Sequence, residues 1–313
     1  MAAGCTLKGN GSAIDLSTMV LLLVFPVYGF SPEITNMKRR TNKIKKMMTA
    51  GLVCTTMILT VGCAEQTVVK EQKAESLPVI VVGSDNYPPF NYLNADGDPT
   101  GIDVELAKEA FYRMGYEAEF KLINWEDKKE LLESGEIDCI WGSFSMDGRE
   151  EEYQWAGPYM TSYQVIAVRT DSDIYSLQDL EGKTVAVQST TKPEELFRKH
   201  EDTRIPQLGK VLSLRNRDLI YTFLSKGYAD AVAAHDTAVK QFMKDYDMEY
   251  RILEEPLLVV GLGVAFDKKD DRGLAQKLTE TFEEMREDGT MKEIVGTYME
   301  DTDCYLEVRT DET

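Results

Sequence analysis

The stretch Asp138-Cys-Ile-Trp-Gly-Ser-Phe-Ser-Met-Asp-Gly-Arg149 decides how the rest of the chain is interpreted. Its apolar start, Cys139 to Trp141, predicts a buried strand, and the small and polar residues after Gly142 predict a loop that carries Arg149. In open α/β sheets, ligands bind beyond the carboxyl ends of the strands. A guanidinium group can hold a carboxylate through two parallel hydrogen bonds. The stretch therefore predicts an anion-binding loop, the alternative being that Arg149 is a solvated charge paired with one of Glu150–Glu152.

Alternating strands and helices surround this stretch. Strands are predicted at Val79–Val82, Glu117–Ile123 and Ile137–Trp141, with helices beginning at Asp103 and Asp127 between them. A second series follows, with strands at 163–169, 184–188, 211–214 and 230–234 and helices at 192–200, 218–226 and 236–246. Such alternation is typical of parallel sheets covered by helices. We expect two α/β lobes joined by two extended crossings, with a cleft between them.

Composition narrows the possible partners. The formal net charge of −19 argues against nucleic acid or an anionic membrane surface, since both attract clustered Lys and Arg. The cysteines show no spacing typical of a metal site, so no metal or other cofactor is expected.

The amino-terminal residues have the character of a targeting segment. A basic block at 38–46 precedes an apolar run, Met47 to Val61, and then Gly62-Cys63. This order predicts a secretion signal, and the apolar run is too short to predict a membrane span. Leu59-Thr-Val-Gly-Cys63 resembles the lipobox of bacterial lipoproteins, which would make Cys63 the lipidated first residue of the mature protein. We expect residues 1–36 to be an over-annotated extension, 37–62 a lipoprotein signal peptide and 63–77 a tether; an ordinary signal peptide is the alternative.

Six motifs, in order, resemble those of bacterial family 3 extracellular solute-binding proteins, the polar-amino-acid receptors of ABC importers. They are Val82–Phe90, Gly101–Ala107, Asp138–Arg149 with Gly157–Tyr159, Leu177–Lys183, Asp230–Val232 and Gly263–Asp267. The resemblance implies an α/β, two-lobe periplasmic-binding-protein-like fold of type II. It assigns residues 78–165 plus 262–313 to lobe 1 and 166–261 to lobe 2. It also implies an extracytoplasmic, lipid-anchored monomer that binds an amino acid or related carboxylate and delivers it to importer permease subunits.

The same resemblance implies roles for individual residues. Tyr87 and Trp125 correspond to aromatic residues on either side of the ligand, and Arg149 to the arginine that binds its α-carboxylate. The carboxylate site would be completed by Ser143, Ser145, Thr190 and Thr191. Core packing for the aromatic residues and a helix cap for the threonines are the structural alternatives.

One position departs from the family pattern. Where the family usually has an aspartate for the ligand's ammonium group, this chain has His235, followed by Asp236. Three explanations remain open: Asp236 turns toward the ligand, a neutral His235 accepts the hydrogen bond, or the ligand lacks a standard α-amino group. The structural alternative for His235 is a partly buried histidine whose hydrogen bonds are satisfied within the protein.

Two other functions are possible on the same fold. One is a ligand-sensing module for signalling. The other is a dehydratase-like enzyme, which is disfavoured because no nucleophile–base spacing is visible around the two histidines.

Overall fold

The structure is a computed structural model that describes residues 76–307. The predicted extension, the predicted signal peptide, the predicted lipidation site Cys63 and residues 63–75 of the predicted tether lie outside the described residues. In chain order the strands are β1 (Val79–Ser84), β2 (Tyr92–Leu93), β3 (Pro99–Thr100), β4 (Glu117–Leu122), β5 (Cys139–Ser145), β6 (Gln154–Arg169), β7 (Thr184–Gln188), β8 (Lys210–Leu214), β9 (Ala231–His235), β10 (Tyr250–Ile252) and β11 (Leu258–Phe266). The helices are α1 (Ile102–Arg113), α2 (Lys128–Glu133), α3 (Lys192–Lys199), α4 (Asp218–Ser225), α5 (Asp236–Tyr246), α6 (Leu274–Glu287), α7 (Thr290–Gly296) and α8 (Asp303–Leu306).

The main sheet has the strand order β4-β1-β5-β11-β6-β9-β7-β8, with β10 also paired to β6. As the strand–helix alternation predicts, β1 is parallel to β4 and β5, and β7 is parallel to β8 and β9. The two middle strands, β6 and β11, are antiparallel to each other. Strand β6 pairs with β11 through Gln154–Gln164 and then with β9 through Gln164–Val168, so it runs through both halves of the sheet.

We refer to β1–β5 with α1, α2 and α6–α8 as lobe 1, and to β7–β10 with α3–α5 as lobe 2. Helix α1 packs on lobe 1 through Ile102, Leu106 and Ala110, which recur every four residues and are fully buried. Trp141 of β5 packs against Phe282 of α6 on the same face, with ring centroids 5.5 Å apart. Each face of the lobe 2 sheet carries its own group of buried apolar residues.

Strand β5 is longer than the sequence predicts. Its extension pairs with β11, placing Phe144 opposite Gly263 and Ser145 opposite Leu262. Ser143 and Ser145 therefore lie on a strand rather than on the predicted loop. Ser143 adopts a positive φ of 45°, and its backbone N–H donates to Asp103 Oδ2 at 2.7 Å. A partner distant in the sequence holds this conformation, which explains why local patterns did not predict it.

Among residues 76–307, no helix has both the length and the apolar character needed to cross a bilayer.

Candidate functional site

The two lobes meet at a cleft formed by the carboxyl ends of β5, β7 and β9 and the loops that follow β1 and β4. Eight of the nine predicted ligand residues line it: Tyr87, Trp125, Ser143, Ser145, Arg149, Thr190, Thr191 and His235. They converge because strands of one direction end at the same edge of a sheet. Their contact with a ligand stays a prediction.

Arg149 extends from lobe 1 toward lobe 2. Its Nη1 donates to the carbonyl oxygen of Ser145 at 3.2 Å, and its Nη2 lies 3.3 Å from Glu195 Oε2 on α3. The guanidinium carbon is 5.2 Å from the centroid of the Phe144 ring, and the side chain is only 11% exposed. Arg149 pairs across the cleft with Glu195 rather than with a neighbouring glutamate. The predicted alternative of a solvated charge does not describe it.

The loop between β7 and α3 forms the facing wall of the cleft. Thr191 occupies the N-cap position of α3, but its hydroxyl donates to the carbonyl oxygen of Gln188 at 2.6 Å rather than capping the helix. Thr190 has a φ of 59°, which is costly for a β-branched residue. Such strain in a tightly held loop is typical of a functional site.

His235 is buried at the end of β9. Its Nδ1 lies 2.7 Å from Ser162 Oγ and its Nε2 lies 2.8 Å from Gln164 Nε2. With the amide of Gln164 donating to Nε2, the Nδ1–H group donates to Ser162. Burial, and secondarily the charge of Arg217, lowers the pKa of His235 to about 3, so the ring is neutral. Both ring nitrogens have protein partners, so the structure does not favour His235 as an acceptor for an ammonium group.

Asp236 is the one predicted ligand residue that does not line the cleft. It begins α5 and accepts hydrogen bonds from the Tyr305 hydroxyl at 2.5 Å and from Lys240 Nζ at 2.7 Å. Asp236 is therefore turned away from the cleft, and the prediction that it turns toward the ligand is not met in this conformation. The reason is local geometry, since successive residues where a strand ends point in opposite directions.

Sequence reasoning missed Asp85 and Arg217. Asp85 Oδ2 accepts hydrogen bonds from Gln188 Nε2 at 2.8 Å and from Arg217 Nη2 at 3.2 Å, both in lobe 2. The guanidinium carbon of Arg217 lies 3.1 Å from the centroid of the Tyr87 ring. One feature of the sequence could have indicated Arg217. It is the N-cap of α4, where the helix dipole disfavours a cation, so an arginine at this position indicates that an anionic group elsewhere in the fold stabilises it.

Several buried polar atoms at the cleft have no hydrogen-bond partner within residues 76–307. They are Ser143 Oγ, Gln164 Oε1, Gln188 Oε1, Arg217 Nε and, beside Arg217, Asp85 Oδ1. Leaving such an atom unpaired costs about 1–3 kcal/mol. Their grouping around one cleft indicates a site that a polar ligand completes.

Comparison with known proteins decides the family. Residues 79–301 match the family described as bacterial extracellular solute-binding proteins, family 3. The chain belongs to this family. The histidine-binding periplasmic protein of Escherichia coli (strain K12) is 31% identical to this solute-binding protein over 236 residues, 72% of this chain and 89% of the relative. The arginine-binding extracellular protein ArtP of Bacillus subtilis is 29% identical over 245 residues, 77% of this chain and 92% of the relative.

A solved structure shows the same architecture. An ancestral arginine-binding protein bound to arginine superposes with a TM-score of 0.65 at 27% identity, over 72% of this chain and all of the other. The fold of this solute-binding protein is therefore the two-lobe, type II arrangement that the sequence predicts.

A buried lysine also bridges the two lobes of this solute-binding protein. Lys128 is 5% exposed; its Nζ donates to Thr190 Oγ1 of lobe 2 at 2.9 Å and lies 4.7 Å from the centroid of the Trp125 ring. Burial, and secondarily the charge of Arg149, lowers the pKa of Lys128 to about 7. The charged groups that act on its amine are Arg149, Arg217, Asp85 and Glu152.

This lysine predicts a pH dependence of stability. Between about pH 7 and the ordinary lysine value of 10.5, the unfolded chain binds the proton that folded Lys128 has released. The free energy of unfolding should therefore rise with pH in this window, by about 1 kcal/mol between pH 7.5 and 8.5. Chemical denaturation at several pH values measures this slope, which Lys128→Met should remove. Lys129→Met is the matched control, because Lys129 is half exposed and should leave the slope unchanged. Equal slopes in wild type and Lys128→Met would contradict the assignment.

Proposed function

We propose that this solute-binding protein captures an amino acid or a related small carboxylate between its lobes and delivers it to an ABC importer. The observation that carries the proposal is the position of Arg149, a nearly buried guanidinium that faces the Gln188–Thr191 loop of the opposite lobe across a cleft with several unpartnered polar atoms. A carboxylate between them would receive charge-assisted hydrogen bonds in a partly desolvated site, where they are stronger than in water. Relatives named for binding histidine and arginine support this ligand class.

Ligand capture is proposed to work by lobe closure. The cleft draws residues from both lobes, so a ligand that contacts both favours the closed arrangement and shifts the population toward it. Strand β6, which runs through both halves of the sheet, is the natural element about which the lobes rotate. The links from Asp85 to Arg217 and from Lys128 to Thr190 would break on opening.

Cellular context follows from the proposed amino-terminal signal. Lipidation at Cys63 would hold a monomeric receptor at the outer face of the cell membrane, tethered by residues 63–77 within reach of the permease subunits. Radiolabelled palmitate incorporated by the wild type and not by Cys63→Ala would support the anchor.

Catalysis is not proposed. Acid–base chemistry at His235 receives no support, because burial lowers its pKa to about 3, which makes the ring a weak base, and because both nitrogens already have protein partners.

The test is a thermal-shift and calorimetric panel of amino acids and simple carboxylates against the full chain. A millimolar ligand with a micromolar Kd should stabilise the protein by about 4 kcal/mol. Matched amines that lack the α-carboxylate are the control, and they should bind weakly or not at all. If no amino acid or simple carboxylate binds, or if the decarboxylated amines bind equally well, the proposal is wrong.

A further inference from the structure

The part of the cleft around Tyr87 and Asp85 already contains a cation of the protein itself. Arg217 is 8% exposed, and its guanidinium lies on the face of Tyr87 at 3.1 Å, a cation–π arrangement. Its Nη2 pairs with Asp85 Oδ2 at 3.2 Å, which makes Arg217 and Asp85 a buried ion pair between the lobes. An aromatic face and an adjacent carboxylate are the two features that a cationic ligand side chain would need, and Arg217 occupies both.

The buried polar atoms without a hydrogen-bond partner in this part of the cleft include both a donor and acceptors. Among the described residues, the donor is Arg217 Nε, and the acceptors are Asp85 Oδ1, Gln164 Oε1 and Gln188 Oε1. A cationic ligand side chain would lie beside the guanidinium of Arg217, and an anionic one beside the carboxylate of Asp85. An uncharged group with both a carbonyl oxygen and N–H donors meets neither repulsion and can satisfy both kinds of atom.

We propose that Arg217 is a specificity-determining residue that closes the cleft to cationic side chains and selects amino acids with an uncharged polar side chain of the carboxamide or urea type. This proposal rests on the proposed function, because it concerns the side chain of the same amino-acid ligand. Arg217 acts as a built-in competitor: a guanidinium or ammonium ligand must displace it from Tyr87 and Asp85, whereas a carboxamide binds beside it. Removing the competitor should open the subsite to cations, since Asp85 and Tyr87 then lose their internal partner.

The test uses two ligand pairs, citrulline against arginine and glutamine against lysine, with affinities measured by calorimetry on the full chain. Citrulline and arginine have nearly the same shape and differ in charge. The wild type should bind at least one uncharged member about tenfold or more tightly than its cationic counterpart. Arg217→Gln should shift that ratio toward the cation by about tenfold or more, while Arg217→Lys, which keeps a positive charge, should keep the original preference.

Arg215→Gln is the matched control, because Arg215 lies two residues away, is 81% exposed and pairs with Glu126 rather than with Asp85. Its ligand ratios should equal those of the wild type, and thermal unfolding confirms that each variant is folded. A preference of the wild type for arginine or lysine overturns the inference, as does an unchanged ratio in Arg217→Gln or a failure to bind either uncharged ligand. Binding that still requires Arg149 would leave the proposed function standing in each of these cases, whereas absence of binding by every amino acid and simple carboxylate would overturn both.

Discussion

Replacement of Arg149 by alanine is expected to weaken amino-acid binding by about 30-fold or more. Arg149 is the nearly buried cation that lobe 1 places opposite the Gln188–Thr191 loop, and its pairing with a ligand carboxylate would be charge-assisted and partly shielded from water. Removing one partner of such a desolvated pair costs about 2–5 kcal/mol, which corresponds to a loss of roughly 30-fold to several thousand-fold. Calorimetry with the best ligand of the amino-acid panel measures the effect.

Two further variants separate the role of Arg149 from that of its neighbours. Arg149→Lys keeps the charge but loses the planar fork, so it should bind with intermediate affinity. Lys199→Ala removes another cationic partner of Glu195 on α3 without changing a residue of the cleft wall, and it should bind as the wild type does. If Arg149→Ala retained an affinity within threefold of the wild type, the carboxylate site would have to lie elsewhere.

Replacement of Asp103 by alanine is expected to lower the free energy of unfolding by about 3 kcal/mol. The Asp103 carboxylate is 1% exposed and links α1 to three other segments. It accepts hydrogen bonds from the Ser143 N–H of β5 at 2.7 Å, the Tyr159 hydroxyl of β6 at 2.8 Å and Asn91 Nδ2 of the loop after β1 at 3.1 Å. Alanine would leave these buried donors unpaired, at about 1–3 kcal/mol each, partly offset because a buried charge is also removed. Urea denaturation at neutral pH measures the loss.

The pH dependence distinguishes the Asp103 charge from its hydrogen bonds. Burial raises the pKa of Asp103 to about 6, so between about pH 4 and 6 the folded protein holds a proton that the unfolded chain has released. The contribution of this group to stability is therefore largest at low pH and falls as the pH rises through that window. Asp103→Asn keeps one acceptor oxygen and should lose only about 1–2 kcal/mol while abolishing this pH dependence.

Asp98→Ala, a change at an exposed aspartate shortly before α1, is the control and should have little effect. A loss below about 1 kcal/mol in Asp103→Ala would contradict the role assigned to this carboxylate. Asp103→Ala should also weaken ligand binding, because Ser143 would lose the hydrogen-bond partner that holds its positive φ beside the cleft.

Much of the fold was predictable because it depends on local signals, and most of the cleft wall was predicted from the resemblance to family 3 solute-binding proteins. Apolar residues spaced every four positions place α1 on its sheet, and short apolar runs between turn residues identify the parallel strands. The carboxyl ends of those strands then bring Tyr87, Arg149 and the Thr190–Thr191 loop to one edge. The helices and strands follow from residues close together in the chain, whereas the meeting of these cleft residues was predicted from motifs shared with the family and from the common edge at which parallel strands end.

Other features of the site depend on partners far apart in the chain, and they are seen only in the tertiary structure. Pairing with β11 turns the predicted loop after Gly142 into a strand, and Asp103 holds Ser143 in a conformation that its own sequence does not indicate. The packing of β9 against β6 occupies both nitrogens of His235. Contact between the two lobes places Arg217 on Tyr87, although the two residues are 130 positions apart in the chain. Periodicity and motifs indicate which way a residue faces along its own helix or strand. The charge and the unsatisfied hydrogen-bonding groups in the cleft depend instead on which distant side chains meet there.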